Sequence, residues 1–445
     1  MTIEKAITIN KVPKAFIGQA LSMEDLDLFL ETSEARGGTH VRKRILQTIN
    51  DNNYVAWHSL FVGYRGCGKS TELNKLQQDI INNGNEYLVI NFSVFKELDP
   101  NNIHYIELFI VTMEKLFNAA EEFGITISKE YWDKIKLWDS STEVTKIKDT
   151  HFGVDFEAGV ETTMGIPYFQ KLFAKLKATA KTTRSFKEVL TTEIEPRLAD
   201  LIENCNYLIT EVRHGLISIG KKDLLIIIED IDKISAQSSN DLFVNHSGQL
   251  TQLNANMIFT FPIGLYCSKH FAKIKPFFID SYELPMIKVR EKNGDESPIG
   301  IETIQQIVAK RMDLNLFENM VILKQMILMS GGCLRDLFLL IKEAAEIARD
   351  YDREKISETD YKKSLNKLKN DYQRYLSDEK IEDTFYPVQQ MYDVLINLIK
   401  HDKNDTTLMM LKLRETQCVF SYNGEFWCAV HPVVKLILED KKLLN

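Results

Sequence analysis

Apolar positions along this chain follow two rhythms. Short apolar-rich runs occur at 57–63 (WHSLFVG), within EYLVINFSVF and at 257–263 (MIFTFPI), and an all-apolar run at 224–228 (LLIII). Runs this short and this apolar read as strands buried on both faces. Between them the spacing changes to that of a helix. Leu73, Leu76 and Ile80 share one face of 70–83, and Ile106, Phe109, Ile110, Met113 and Phe117 share another. Strands alternating with helices predict an α/β core with a parallel sheet. Thr39 is a candidate cap for a helix over 40–51. Residues 300–378 read as all-helical, and Ser357 with Asp360 forms a small capping box before YKKSLNKLKNDYQRYL.

Two stretches break this pattern. About 100 residues, 120 to 220, separate the first strand–helix units from the LLIII run, long for a simple alternation. Inside them Phe152, Val154, Phe156, Ala158 and Val160 alternate with a period of two, which predicts a strand. A basic stretch at 171–187 follows, with Tyr168, Phe169, Phe173 and Phe186 interleaved among Lys and Arg. It reads either as a solvated helix face or as a nucleic-acid contact. A long amphipathic helix is predicted over 188–218, with a bend near Pro196. Near the C-terminus, helices ending near Lys400 and spanning 406–415 precede CVFSYNGEFWCAVHP. Its Asn423-Gly424 pair between apolar runs signals a hairpin, and a last helix follows Pro432. Helix, helix, hairpin, helix is the order of a winged helix.

The chain therefore divides into an approach segment (1–55), a core (56–295) carrying the insertion at about 120–220, a helical lid (296–378) and a winged-helix-like end (379–445). With 44% hydrophobic and 27% charged residues, the composition supports buried cores and excludes wholesale disorder. The net charge of −8 argues against a polyanion binder as a whole. Six scattered cysteines form no C-x2-C pair, so neither a zinc site nor a disulfide framework is expected. The opening MTIEKAITINK lacks a signal-peptide core, and no apolar run approaches the roughly 18 residues that span a bilayer. A cytoplasmic location is expected.

One motif carries chemistry. In FVGYRGCGKST, Gly63, Gly68, Lys69 and Ser70 match G-x-x-x-x-G-K-[ST], placed between a predicted strand and a predicted helix. Glycines let backbone N–H groups point at phosphate oxygens, and the helix start adds its positive dipole end. Gly63, Arg65, Gly66, Cys67, Gly68, Lys69, Ser70 and Thr71 are the candidate nucleotide-binding residues, with Ser70 as a magnesium ligand. The second half of such a site is an acid at the end of a neighbouring strand. LLIIIEDIDKI supplies Glu229, Asp230 and Asp232 where ligands bind in open α/β sheets. No Asn-Lys-x-Asp element is present, which favours ATP over GTP.

LFVGYRGCGKSTEL and LLIIIEDIDKI together resemble the Walker A and Walker B elements of AAA+/STAND-type P-loop ATPases of the origin-recognition-like group. The resemblance runs over nearly the whole chain. It implies a P-loop sheet core, ATP with Mg²⁺, and a homo-oligomer. Glu229 takes the metal position, where Asp is usual, and Asp230 the catalytic-acid position, so either acid can be the one at the metal. Thr260 in MIFTFPI resembles a sensor-1 residue or is an incidental threonine on an apolar strand. Arg335 in SGGCLRDLFLLIKEAAEIA resembles a sensor-2 arginine that reaches the γ-phosphate. FLETSEARGG (29–38) resembles the segment near the adenine, with Arg36 a candidate there. Arg290 and Arg311 are the candidates for an arginine finger. Bacterial relatives often work beside a dedicated effector, including in anti-phage defence. From 381 to 445 there are seven Lys and Arg against nine Asp and Glu, a net of −2. That balance favours a protein partner over DNA, with a nucleotide-regulated DNA-binding protein and a slow-turnover scaffold as rivals.

Overall fold

The computed structural model describes residues 2–52, 55–84, 86–134, 195–381, 384–422 and 427–444. The expected strand at 152–160, the basic stretch, the first part of the helix over 188–218 and the Asn423-Gly424 turn lie outside them. In chain order the principal elements are α1 (Val41–Asp51), β1 (His58–Val62), α2 (Lys69–Asn82), β2 (Tyr87–Ser93), α3 (Tyr105–Glu122), α4 (Leu198–Ser218), β3 (Asp223–Glu229), β4 (Asn256–Phe261) and β5 (Asp280–Glu283). They continue with α5 (Pro298–Arg311), α6 (Met320–Met329), α7 (Leu334–Asp350), α8 (Glu358–Tyr375), β6 (Glu379–Ile381), β7 (Thr384–Tyr386), α9 (Val388–His401), α10 (Leu408–Glu415), β8 (Val419–Ser421), β9 (Cys428–Val430) and α11 (Pro432–Asp440).

β1 to β5 form one sheet in the order β2-β3-β4-β1-β5. Every pairing is parallel, with Leu60 opposite Phe259, Val62 opposite Glu283, and Ser93 opposite Glu229. All five strands thus end at one edge. β3 lies in the interior of the sheet and is buried at every position, which is why its sequence is a run rather than an alternation. The sequence pattern did not single out β5, whose Asp280 and Glu283 interrupt the apolar signal.

Two apolar cores fill the described residues. One surrounds the sheet; the other is built from α5 to α8, the N-terminal residues Ala6, Ile9, Val12, Ala15 and Phe16, and much of α9 to α11. The first residues pack into the helical core. Ala6 exchanges backbone hydrogen bonds with Arg311 and Asp313, and Phe16 meets Phe338 edge-on at 5.2 Å. β8 bridges the cores: Val419 packs into the helical one and Phe420 into the sheet one.

Local signals held unevenly. The Ser357–Asp360 box closes as expected before α8. The Thr39 cap does not: α1 begins at Val41, and no side-chain cap bonds its first amides. Pro196 sits in a 3-10 turn just before α4 and does not bend the described helix.

Ile227 is fully buried at the centre of β3. Ile227→Ala is expected to lower unfolding free energy by about 2–5 kcal/mol, read by denaturant titration. A change under ~1 kcal/mol would mean β3 is not a closely packed central strand.

Candidate functional site

β1 ends at Val62 and α2 begins at Lys69; the loop between them carries the glycine motif. Gly66 and Gly68 adopt left-handed φ values of 80° and 105°, which a side chain would strain. A Cβ on Gly66 would fall 2.6 Å from Cβ of Arg335, so only glycine lets the loop and the start of α7 meet. α2 has 14 residues and no side-chain cap at Gly68. Its first amides open into a cleft, an arrangement suited to an anion.

Lys69 is buried. Its Nζ donates to the carbonyls of Gly63 at 2.7 Å and Tyr64 at 2.9 Å, and lies 3.0 Å from Oδ2 of Asp232. Burial is the largest influence and opposes the ammonium charge, but Asp232 and Cys67 together outweigh it, and the group titrates above its ordinary range. Asp232 is thus part of the site through Lys69.

The two acids before it face different partners. Burial pushes the Glu229 carboxyl above the usual range, against the opposing influence of the nearby Ser70 and Asn91 side chains. Asp230 has a left-handed φ of 68° and is held by the Ser93 hydroxyl and by Lys233. Burial raises it, but Lys233 and Ser93 prevail and hold it below the usual range. Ser70 and Glu229 stand together at the edge of α2 and β3, whereas Asp230 is engaged with β2. Among the described residues no cluster of three acids, histidines or cysteines could hold a metal alone. A hydroxyl beside one carboxylate fits Mg²⁺ that shares its remaining positions with phosphate and water.

The cleft has a volume of about 160 Å³. Its loop side is lined by Arg65, Gly66, Gly68, Lys69, Ser70 and Thr71. Its far side is apolar, with Leu21, Leu28, Phe29, Leu30, Ile307 and Phe338. Cationic groups, loop amides and apolar side chains therefore line the same cleft. Arg36, Arg311 and Arg335 also line the cleft, Arg335 against Gly66 and Arg36 against the Cys67 carbonyl of the loop.

Other residues take structural partners. The Thr260 hydroxyl accepts from Ile231 N at 3.1 Å and donates to Ile228 O at 3.3 Å, fixing the end of β3. Thr71 also accepts from Leu21 N at 3.1 Å, tying the N-terminal segment to α2. The Cys67 side chain is buried, and its carbonyl accepts from Arg36 at 2.7 Å. Arg311 is buried, donates to Ala15 O at 2.8 Å, lies 4.6 Å from the Phe338 ring centre and lines its own cleft. Arg290 donates to Gly294 O at 3.0 Å within its own loop.

Sequence reasoning missed the apolar wall and underweighted Arg36. The buried guanidinium of Arg36 joins Thr32, the Pro285 carbonyl and the loop carbonyl of Cys67. Its signal was only an arginine before two glycines. Phe29 owes its place to Arg42, which lies 5.0 Å from its ring centre and binds Glu31, Glu72 and Asp79.

Strand order, glycine loop and acidic strand end now coincide: the loop follows β1, and β3, with β4 between them, brings its acids to the same edge. The core has a P-loop ATPase fold. No protein-family model matches this P-loop chain, and no curated protein matches it. Among solved structures, it is similar to a Walker-type ATPase of Pyrococcus abyssi, at 14% identity and a TM-score of 0.40, covering 93% of this chain and 99% of that one. It is similar to the Aeropyrum pernix ORC1 protein in complex with DNA, at 12% identity and 0.41, covering 96% of each chain. It is also similar to CDC6P from Pyrobaculum aerophilum, at 11% and 0.38, covering 93% and 97%.

The raised carboxyl of Glu229 gives a test with a definite sign. A carboxyl that titrates higher in the fold than in the unfolded chain binds more protons when folded. Its ionisation therefore costs stability as pH rises above the ordinary value of 4.5. Glu229→Gln is expected to raise the unfolding temperature of the nucleotide-free protein at neutral pH, with the gain disappearing below that value. A variant less stable than wild type at pH 7 would mean that the buried carboxylate is fully compensated.

Proposed function

We propose that this chain is an ATP-binding, Mg²⁺-dependent ATPase that works as a molecular switch on a protein partner. The observation that carries this reading is the buried Lys69, held between loop carbonyls and Asp232 beside the Ser70–Glu229 pair. Gly63, Arg65, Gly66, Cys67, Gly68, Lys69, Ser70 and Thr71 form the phosphate cradle, and the apolar wall takes the adenine. Ser70 and Glu229 hold Mg²⁺, which supplies charge neutralisation at the phosphates when bound. Lys69 exchanges its loop carbonyls for phosphate oxygens. Asp230 is the general base for the attacking water, and the grip of Lys233 keeps it ionised. Arg335 binds the terminal phosphate across the cleft and so ties closure to the triphosphate. Thr260 acts through the end of β3 and not by touching nucleotide.

The helical layer α5 to α8 is the lid, and the elements from α9 to α11 are a winged-helix-like module. The net −2 of residues 381 to 445 speaks for protein docking and against duplex DNA. A homo-oligomer, and a place in bacterial defence beside an effector, rest on the resemblance of the two Walker elements. Among the described residues no helix is long and apolar enough to cross a membrane.

Phosphate release by the purified protein is the decisive measurement. Wild type is expected to turn over ATP only with Mg²⁺, and Lys69→Ala to lose at least about 100-fold. Asp230→Asn is expected to keep ATP binding and lose turnover, whereas Glu229→Gln loses Mg²⁺ dependence of binding. No turnover in the wild type, with ATP still bound, would leave a scaffold. A salt-dependent shift of duplex DNA would replace the protein partner with nucleic acid.

A further inference from the structure

The back of the glycine loop does not face solvent. Tyr64, the residue after Gly63, is fully buried, and its ring meets Phe420 of β8 edge-on at 5.3 Å. Its hydroxyl lies 2.9 Å from the Ser421 hydroxyl and accepts from Nη1 of Arg414 at 3.1 Å. Arg414 is itself buried at the end of α10. It also donates to Ser421 at 2.5 Å, to Oδ1 of Asn404 at 2.6 Å and to Sγ of Cys428 at 3.0 Å. None of these acceptors is a carboxylate. A buried guanidinium with neutral hydrogen-bond acceptors is costly to desolvate, and the nearby Glu283 carboxyl offsets part of that cost electrostatically. The contact with Tyr64 spans 350 residues of sequence to reach the phosphate loop.

The same C-terminal elements touch the loop and its counterpart elsewhere. Gln417 donates to the carbonyl of Arg65. Tyr422 donates to Gly331 O at 2.7 Å, just before α7. His431 Nε2 lies 3.1 Å from Asp336, the neighbour of Arg335. Both cationic walls of the phosphate end therefore rest on one C-terminal surface.

We propose that Arg414 is a positioning residue for the phosphate loop: through Tyr64 it ties the docking of α10, β8 and β9 to nucleotide binding. This rests on the nucleotide-binding reading of the cleft. Docked C-terminal elements hold the loop in its binding shape, and bound nucleotide holds those elements docked, because the two equilibria share one contact. A partner that draws α10 and β8 away would loosen the loop and release nucleotide.

The test uses the full chain as wild type, Arg414→Ala, Tyr64→Phe and the double variant. Arg213→Ala, which breaks the pair with Asp223 at the opposite edge of the sheet, controls for stability alone. Affinity for Mg²⁺-ATP is read by displacement of a fluorescent ATP analogue, and hydrogen exchange of amides 63–70 is followed without nucleotide. Each single variant is expected to lose about tenfold in affinity, and the double variant no more than either single, as residues sharing one contact do. Loop amides should exchange faster in all three while β3 amides stay unchanged. Arg213→Ala should unfold at lower temperature with affinity intact. Losses that multiply in the double variant, affinities unchanged from wild type, or faster exchange in β3 as well would overturn the inference. A wild type that binds nucleotide while the variants behave like it overturns this inference alone. A wild type that binds none overturns the nucleotide-binding reading and the inference with it.

Discussion

A charged ammonium buried beside backbone carbonyls is the constraint around which this structure is organised. Lys69 sits out of water, and its charge survives only because Asp232 and the carbonyls of Gly63 and Tyr64 surround it. Each of these comes from a different structural commitment. The carbonyls require the loop to curl back on itself, which the left-handed glycines allow. Asp232 requires β3 to end level with β1, which the parallel register enforces through β4. A shift of one strand along the sheet would leave the ammonium unpaired, at a cost of several kcal/mol.

The same logic extends outward. Arg36 steadies the loop from the N-terminal side through the carbonyl of Cys67, and Arg414 from the C-terminal side through Tyr64. Both are buried guanidinium groups whose hydrogen-bond acceptors are neutral: Arg36 uses the Thr32 hydroxyl and two backbone carbonyls, and Arg414 uses two hydroxyls, an amide oxygen and a thiol. The cleft is thus assembled from five distant stretches of chain, and none of them forms a wall alone. Residues 18–30 supply much of the apolar surface, the loop supplies amides and Lys69, the turn after β3 supplies Asp232, α5 supplies Ile307 and Arg311, and α7 supplies Arg335 and Phe338. Such a cleft can respond to ligand because its parts belong to two cores that meet there, a sheet core and a helical core.

The chemistry of the loop was more legible than the wall around it. G-x-x-x-x-G-K-[ST] is a local motif, and the run before Glu229 is a local pattern, so both could be read in line. Glu229, Asp230 and Asp232 were visible as a group, but their division of labour was not. Which acid meets Ser70 depends on the backbone turn at Asp230, and a φ of 68° there is set by contacts with β2. Thr39 illustrates the opposite failure, since a good capping residue stands one place too early for a helix whose start is fixed by packing. Arg311 looked free in sequence because nothing local marks a side chain that ends beneath Phe338.

By itself, then, the sequence determined that strands and helices alternate, that a phosphate loop joins β1 to α2, and that a strand ending in acids must lie close by. Those features are encoded in periods of a few residues and in glycine conformations, which need no partner to be recognised. Tertiary structure alone decided the order of the strands, the pairing of Lys69 with Asp232, the apolar wall, and the grip of Arg414 on Tyr64. These are contacts between residues tens to hundreds of positions apart, chosen by the fit of whole packed layers, and no local pattern carries that choice.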